Sequence, residues 1–415
     1  MGHYDIAVIG AGAAGLAAGL RLQSAGKSFI VLEARDRIGG RAFTDTATLG
    51  LPFDCGAHWL HAAAQNPFTT IADRLGFRYA RMAWSDYLIH TAGAPAPNAL
   101  IEDASMEFGR AMGRIAEAGQ AGLDVAFSDC VGPAGRWTPL IRQIIGQITS
   151  HDPEDCSTRD YARYEDGGGD YPVEAGFGAL VASNAAGLPV TLSTPVTLID
   201  WSGRLVRLET PRGTLTARTV ILAVPVNVLI AEGIRFAPAL PAALIEAFHD
   251  CPMGVSEKIA LLLDGPVEGL GHLYGDVVDL SEQARPPFNL HVNPFGRPLL
   301  VSHLAGSWGR EMEKLSDAAA MAVALEALAE AFGASMKKRV VRMLRTHWAS
   351  DPHTLGGYSH AKPGRADSRF LFSEPVGERI VLAGEHCSIP FYSTVHGAHL
   401  SGIAAAETAM GLVRP

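Results

Sequence analysis

The sequence predicts an α/β fold in which one domain is assembled from separated stretches of chain and an α+β domain lies between them. Two observations predict it. Near the start, Tyr4–Leu32 reads as strand, glycine turn, helix and second strand. Near the end, Val381–Glu407 reads as strand, Gly384-Glu385 turn, irregular loop and Ala-rich helix. Both are βα units of the kind that build sheets covered by helices on their faces.

Ile6–Ile9 is a short apolar run suited to a strand buried on both faces. Gly10, Gly12 and Gly15 follow it in G-x-G-x-x-G spacing. The first permits the tight turn, the second lets backbone approach a pyrophosphate, and the third lets helix pack on strand. The helix start that follows points unpaired N–H groups at an anion. Phe29–Leu32 is the second strand, and Glu33 stands where a carboxylate accepts from ribose hydroxyls. An acid there repels a 2′-phosphate and disfavours NADP. These features specify a Rossmann-like dinucleotide site without separating NAD from FAD.

The central region reads as a succession of short elements. Phe108, Met112 and Ile115, then Leu140, Ile144 and Ile148, recur at helical spacing and predict two helices within 98–149. Asp166-Gly167-Gly168-Gly169-Asp170 is a flexible turn. Val190–Leu192, Val196–Asp200 and Leu205–Thr210 predict short antiparallel strands, and Thr219–Val224 an apolar strand. A helix over Pro241–Phe248, strands over Lys258–Leu263 and Leu299–Ala305, and an Ala-rich helix over Asp317–Phe332 follow. Arg379–Ala383 and Gly397–Met410 are the last strand and helix. A helix opening at Val395–Ala398 offers N–H groups to a negatively charged ring or phosphate, and Glu385 can reach sugar hydroxyls. Periodicity alone leaves a core-filling helix as an equal reading.

Composition bounds the function. With 48% hydrophobic and 19% charged residues the chain is an ordinary globular protein. Its net charge of −9 and lack of a basic block give no electrostatic footprint for nucleic acid. The five cysteines are scattered singly, without metal-ligand spacing, so reduced thiols, a cytoplasmic location and no metal are expected. The first strand starts near Tyr4, leaving no room for a signal peptide, and no apolar run reaches the roughly 18 residues of a spanning helix. A soluble protein with no membrane partner is expected.

Arg35–Thr44, RDRIGGRAFT, places a second glycine pair, Gly39-Gly40, beside Arg41, a guanidinium suited to a pyrophosphate. Here the sequence resembles the flavin-containing amine oxidase superfamily, in which LEA-x-x-R-x-GGR follows the dinucleotide motif. The resemblance implies FAD rather than NAD. At the other end, AGEH-x-S followed by YSTVHGA-x-LSG resembles the FAD-binding end of polyamine and spermine oxidases and of the lysine-specific histone demethylase. DCGAHWLH at Asp54–His61 resembles the polyamine oxidase motif in which a Gly-Ala backbone faces the flavin. Val196 matches the valine whose backbone meets the adenine. The implied cofactor residues are thus Gly10, Gly12, Gly15, Glu33, Arg35, Gly39, Gly40, Arg41, Gly56, Ala57, His58, Val196, Gly384, Glu385, Thr394 and Val395. By the same resemblance, residues 1–75, 172–248 and 355–415 form the FAD domain, and 76–171 and 249–354 the substrate domain. Monoamine oxidases attach FAD through a cysteine in the loop matching His347–Gly364; this chain has none there, so FAD is expected to be non-covalent.

Two residues are candidates for the chemistry. Lys258, at a strand start, reads by itself as a snorkelling surface lysine. The resemblance instead matches it to the lysine that holds a water against flavin N5, where an ammonium also helps dioxygen accept electrons. His61 matches the histidine of Trp-x-His and can take a proton from an ammonium substrate. Trp59, Tyr358 and Thr394 are the candidate pocket walls. The expected activity is FAD-dependent oxidation of a small amine, polyamine-like or another secondary amine. Hydride leaves the α-carbon, the imine hydrolyses, and dioxygen becomes hydrogen peroxide. A carbon–carbon desaturase resembling protoporphyrinogen oxidase or phytoene desaturase, an L-amino acid oxidase, and a flavin-bearing interaction protein are the alternatives.

Overall fold

The computed structural model describes residues 2–80, 87–91, 93–281 and 286–413 of the 415. Ile6, Ala7 and Val8 have no exposed surface because strand His3–Ile9 is paired on both edges. It lies parallel to Phe29–Leu32 on one side and to Gly213–Leu222 on the other. These belong to an eight-stranded sheet to which the far end of the chain contributes Ile380–Leu382, parallel to Gly213–Leu222. Backbone bonds from Gly10 N to the Leu32 carbonyl, Ala223 N to Ile9 and Ala383 N to Leu222 bring the carboxyl ends of these strands level. A ligand site is expected at such an end. Helices Ala13–Ser24 and Val395–Leu412 start there and pack on each other.

The strands predicted between 190 and 210 form, but not all are antiparallel. Val190–Thr191 runs parallel to Phe29–Leu32, because helix Phe177–Asn184 precedes it and supplies the crossover that parallel pairing needs. Leu198–Asp200 and Val206–Thr210 pair antiparallel as expected.

The second sheet has seven strands, in the order Val340–Arg345, Ser256–Leu263, Leu299–Ala305, Phe288–Val292, Leu273–Val277, Leu88–Thr91 and Ala94–Pro95. One face is apolar: Ile259, Leu261, Leu290, Leu300 and Leu304 pack on Ala320, Ala324 and Leu328 of helix Asp317–Phe332. Its other face carries the polar residues described below. Helices Asn98–Gln120 and Thr138–Thr149 close a further apolar cluster with Ile89, Phe127 and Trp137. Among the described residues, no helix is long and apolar enough to cross a membrane.

Candidate functional site

The level strand ends of the first sheet open onto a cavity of about 390 Å³. Gly10, Gly12, Glu33 and Arg35 line it from the first βα unit, Gly39, Gly40 and Arg41 from the loop that follows, and Val196 from the strand region beyond. Tyr358, Gly384, Glu385, Thr394 and Val395 line it from the distant C-terminal segments. Gly15 lies beneath, where a Cβ would stand 1.8 Å from the Gly10 carbonyl oxygen, so only glycine lets the helix sit this close to the turn.

Each polar group at this cavity is held by neighbours in the sequence motifs. Glu33 is buried and accepts from Ala11 N at 2.6 Å and Arg35 N at 2.9 Å, so its carboxylate is fixed against the glycine turn. The Arg35 guanidinium donates to Asp351 at 2.5 Å and Thr354 Oγ1 at 2.8 Å. Arg41 Nη1 donates to the Gly357 carbonyl at 2.6 Å and pairs with Glu385 at 3.0 Å. Glu385 also accepts from Ser359 Oγ at 2.7 Å and Ser393 N at 3.0 Å. Burial alone would raise the Glu385 carboxyl, but the Arg41 charge and these donors outweigh it and hold it at about 2. Thr394 caps helix Val395–Leu412, its Oγ1 accepting from Gly397 N at 2.9 Å.

This lining fits an extended dinucleotide. A Cβ added at Gly12 would meet no protein atom within 4 Å, so the turn leaves its cavity side open to a phosphate. Helix Ala13–Ser24 has no acidic residue in its first turn and no side-chain cap, so its N-terminal N–H groups stay available for an anion. Glu33 at one side and the Val395 helix start at the other supply a hydroxyl acceptor and N–H donors.

The remaining candidates do not line that cavity. Lys258 and His58 border a second cavity of about 50 Å³. Lys258 is buried, and Nζ donates to the carbonyls of Asp54 at 2.8 Å and Gly56 at 2.5 Å and to His58 Nδ1 at 3.1 Å. Those three acceptors match its three N–H bonds, so the water that the resemblance assigns to this lysine competes with protein partners. Burial lowers the ammonium to about 8, against the opposing pull of Asp54. The loop Gly56-Ala57 is tied to the other cavity by Ala57 N, which donates to the Arg41 carbonyl at 3.1 Å. Tyr358 lines the main cavity while its hydroxyl donates to the Gln147 carbonyl.

Trp59 sits over His58 and three residues that the sequence reading missed, Tyr274, His291 and His303. Its ring lies 4.8 Å from His58, 5.1 Å from Tyr274 and 6.4 Å from His291, stacked on the last. His58 in turn contacts His303 at 4.8 Å. Strand register explains the grouping: Lys258 is opposite His303, His291 opposite Val301, and Tyr274 opposite His291. Because residues two apart share a face, Lys258, His303, His291 and Tyr274 form a row across one face of the second sheet. Burial, then the Lys258 charge for His58 and His303 and the His272 ring for His291, drives these three imidazoles well below their ordinary range. The signal was present in LLVSHLA and FNLHV, where a histidine interrupts an apolar strand on the alternate face. His61, half-exposed, pairs through Nδ1 with Asp170 at 2.7 Å. Among the described residues no cluster could hold a metal ion.

Comparison with known proteins agrees with this geometry. The profile described as flavin containing amine oxidoreductase matches residues 13–410. Polyamine oxidase 2 of Arabidopsis thaliana is 29% identical, covering 97% of this chain and 87% of the relative. Lysine-specific histone demethylase 2 of Homo sapiens is 26% identical over 98% of this chain and 53% of that protein. The structure of a putrescine oxidase bound to putrescine superposes with a TM-score of 0.80 at 22% identity, covering 99% of each chain. That profile runs from the helix after the first glycine turn to the C-terminal helix, so the chain belongs to the flavin-containing amine oxidoreductase family and is an amine oxidase with FAD as its cofactor.

Proposed function

We propose that this oxidase acts on a small polyamine-like or related secondary amine and passes the electrons to dioxygen, in the cytoplasm. The observation that carries the reading is the row of neutral imidazoles and aromatic rings beneath Trp59, beside the buried Lys258. Such a wall solvates an alkylamine without fixing a positive charge of its own. The polyamine oxidases among the relatives support the substrate class. FAD, when bound, supplies the two-electron acceptor for the amine α-carbon.

The chain's own groups divide the remaining work. When FAD binds, Glu33 would hold the ribose hydroxyls, Gly12 and the Ala13 helix start would receive the pyrophosphate, and the N–H groups at the Val395 helix start would serve the ring end. Arg41 neutralises Glu385 and keeps that carboxylate pointed at Ser359 and Ser393. Lys258 contributes its charge rather than a free N–H: a buried ammonium favours negative charge developing on dioxygen. Trp59, Tyr358 and Thr394 bound the amine, and His61 accepts its proton. FAD is held non-covalently, since no cysteine lies between Cys251 and Cys387. Free thiols at all five cysteines support the reducing compartment. Residues 1–75, 172–248 and 355–415 form the FAD domain and also carry His58, Trp59, His61, Tyr358 and Thr394; 76–171 and 249–354 form the substrate domain, which carries Lys258, Tyr274, His291 and His303.

The test is anaerobic bleaching of the bound flavin with spermidine, spermine, putrescine, N-acetylated polyamines, other secondary amines and amino acids. Bleaching by polyamines or secondary amines is expected. Bleaching by amino acids alone would move the substrate class to an amino acid oxidase.

A further inference from the structure

Six histidines gather near the amine wall, and they are not equivalent. His58, His291, His303 and His396 are pressed toward the neutral form by burial, and His272 likewise. His61 differs in geometry: its side chain is 42% exposed and faces a carboxylate at 2.7 Å.

The surrounding backbone holds that contact in place. Trp59 and Leu60 pair antiparallel with Pro172 and Tyr171, which sets the residues just beyond each strand, His61 and Asp170, side by side. Ala63 N donates to the Gly169 carbonyl at 3.1 Å, fastening the glycine turn to the chain after His61. Asn66 Nδ2 donates to the His61 carbonyl at 2.8 Å and approaches His396 Nδ1 at 3.3 Å, joining this turn to the helix that begins at Val395. The expected flexible turn is therefore a pinned loop whose last residue meets an imidazole.

We propose that Asp170 is a positioning residue that, by accepting the Nδ1 proton of His61, leaves the His61 Nε2 lone pair to take a proton from the incoming ammonium substrate. This rests on the reading that an amine is the substrate. The step balances: one N–H bond of the ammonium breaks, one Nε2–H bond forms, and the nitrogen lone pair is released while the carboxylate faces the new imidazolium. No oxidant enters it. The geometry around His61 supports the assignment, since His396 is buried and His58 and His303 are partly buried, whereas His61 is half-exposed with its Nδ1 2.7 Å from the Asp170 carboxylate.

The test is Asp170→Asn. Its amide donates to Nδ1, which moves the imidazole proton to Nε2 and blocks the base. We expect anaerobic flavin reduction by the best amine to slow about 100-fold, with substrate affinity changed less than about threefold, and Asp170→Glu to recover most of the rate. Nitrogen NMR of ¹⁵N-histidine-labelled holoenzyme is expected to show the His61 proton on Nδ1 in the parent and on Nε2 in Asp170→Asn. A wild-type reduction rate in Asp170→Asn, or a parent His61 protonated on Nε2 alone, overturns the proposal. If no amine reduces the parent flavin, the substrate reading fails instead, and the NMR result still decides the dyad.

Discussion

Lys258 and Arg369 are both buried cations, and the protein treats them differently. Arg369 has no exposed surface and spends its guanidinium on Asp160 at 2.6 and 3.0 Å, on Ser359 Oγ and on the His386 carbonyl. That is a paired charge holding loops together beneath the cavity. Among the described residues Lys258 has no carboxylate within bonding distance, only two carbonyls and an imidazole nitrogen. Its charge is consequently offset only through space by Asp54, an arrangement costly for stability and useful for a reaction that develops negative charge. Lys258→Met should therefore slow reoxidation of the reduced enzyme by dioxygen at least about tenfold more than it slows reduction by amine, since about 1.4 kcal/mol of charge stabilisation is worth that factor. Stopped-flow measurement of the two half-reactions separates them. Unchanged reoxidation would remove the role.

At the scale of the element, the second sheet carries buried acids as well as bases. Asp276 is 1% exposed in strand Leu273–Val277 and bonds to Tyr87 and Gln143. Burial pushes its carboxyl up to about 7 despite those donors. Glu257 in the neighbouring region is raised to about 7 by the same cause. A folded pKa above the unfolded value means the folded state holds the extra proton. The stability is therefore complete below the ordinary carboxylate range and is lost as pH rises through 7. Between pH 5.5 and 8 each group should cost about 2 kcal/mol. Urea unfolding at the two pH values should show Asp276→Asn losing about 2 kcal/mol less than the parent between them; an equal pH dependence in the two proteins would contradict the assignment. Of the row across this sheet the sequence reading named Lys258 alone, although LLVSHLA and FNLHV carried the histidines. Strands such as Lys258–Leu263 and Leu299–Ala305 were legible, because apolar runs announce themselves locally. Which residues lie opposite each other depends on register between strands tens of residues apart, and no single run encodes that. The lining of the larger cavity was legible for the opposite reason: turn, helix start and acid fall within one contiguous stretch whose backbone geometry is local. His61 was visible as a residue, and Asp170 was visible only as the end of a turn.

At the scale of the whole molecule, one cavity depends on segments nearly four hundred residues apart in sequence. Helices Ala13–Ser24 and Val395–Leu412 both begin at it, and their packing decides whether their N-termini address the same ligand. The contact is close: a Cβ at Gly402 would stand 2.0 Å from the Ala14 carbonyl oxygen. Because that neighbour is backbone, it cannot swing aside, and a larger residue must push one helix away from the other. Gly402→Val should then displace the Val395 helix start relative to the Gly12 turn and weaken FAD binding along with stability. In the parent, FAD at about 100 times its dissociation constant should stabilise by about 2.7 kcal/mol, read as an upward shift of Tm on reconstituting the apoprotein. Gly402→Val should melt lower without FAD and show less than half the parent's shift at the same FAD concentration. A variant that melts lower yet keeps the full shift would show that the two helix starts hold the cofactor independently, and that the close contact serves the core alone.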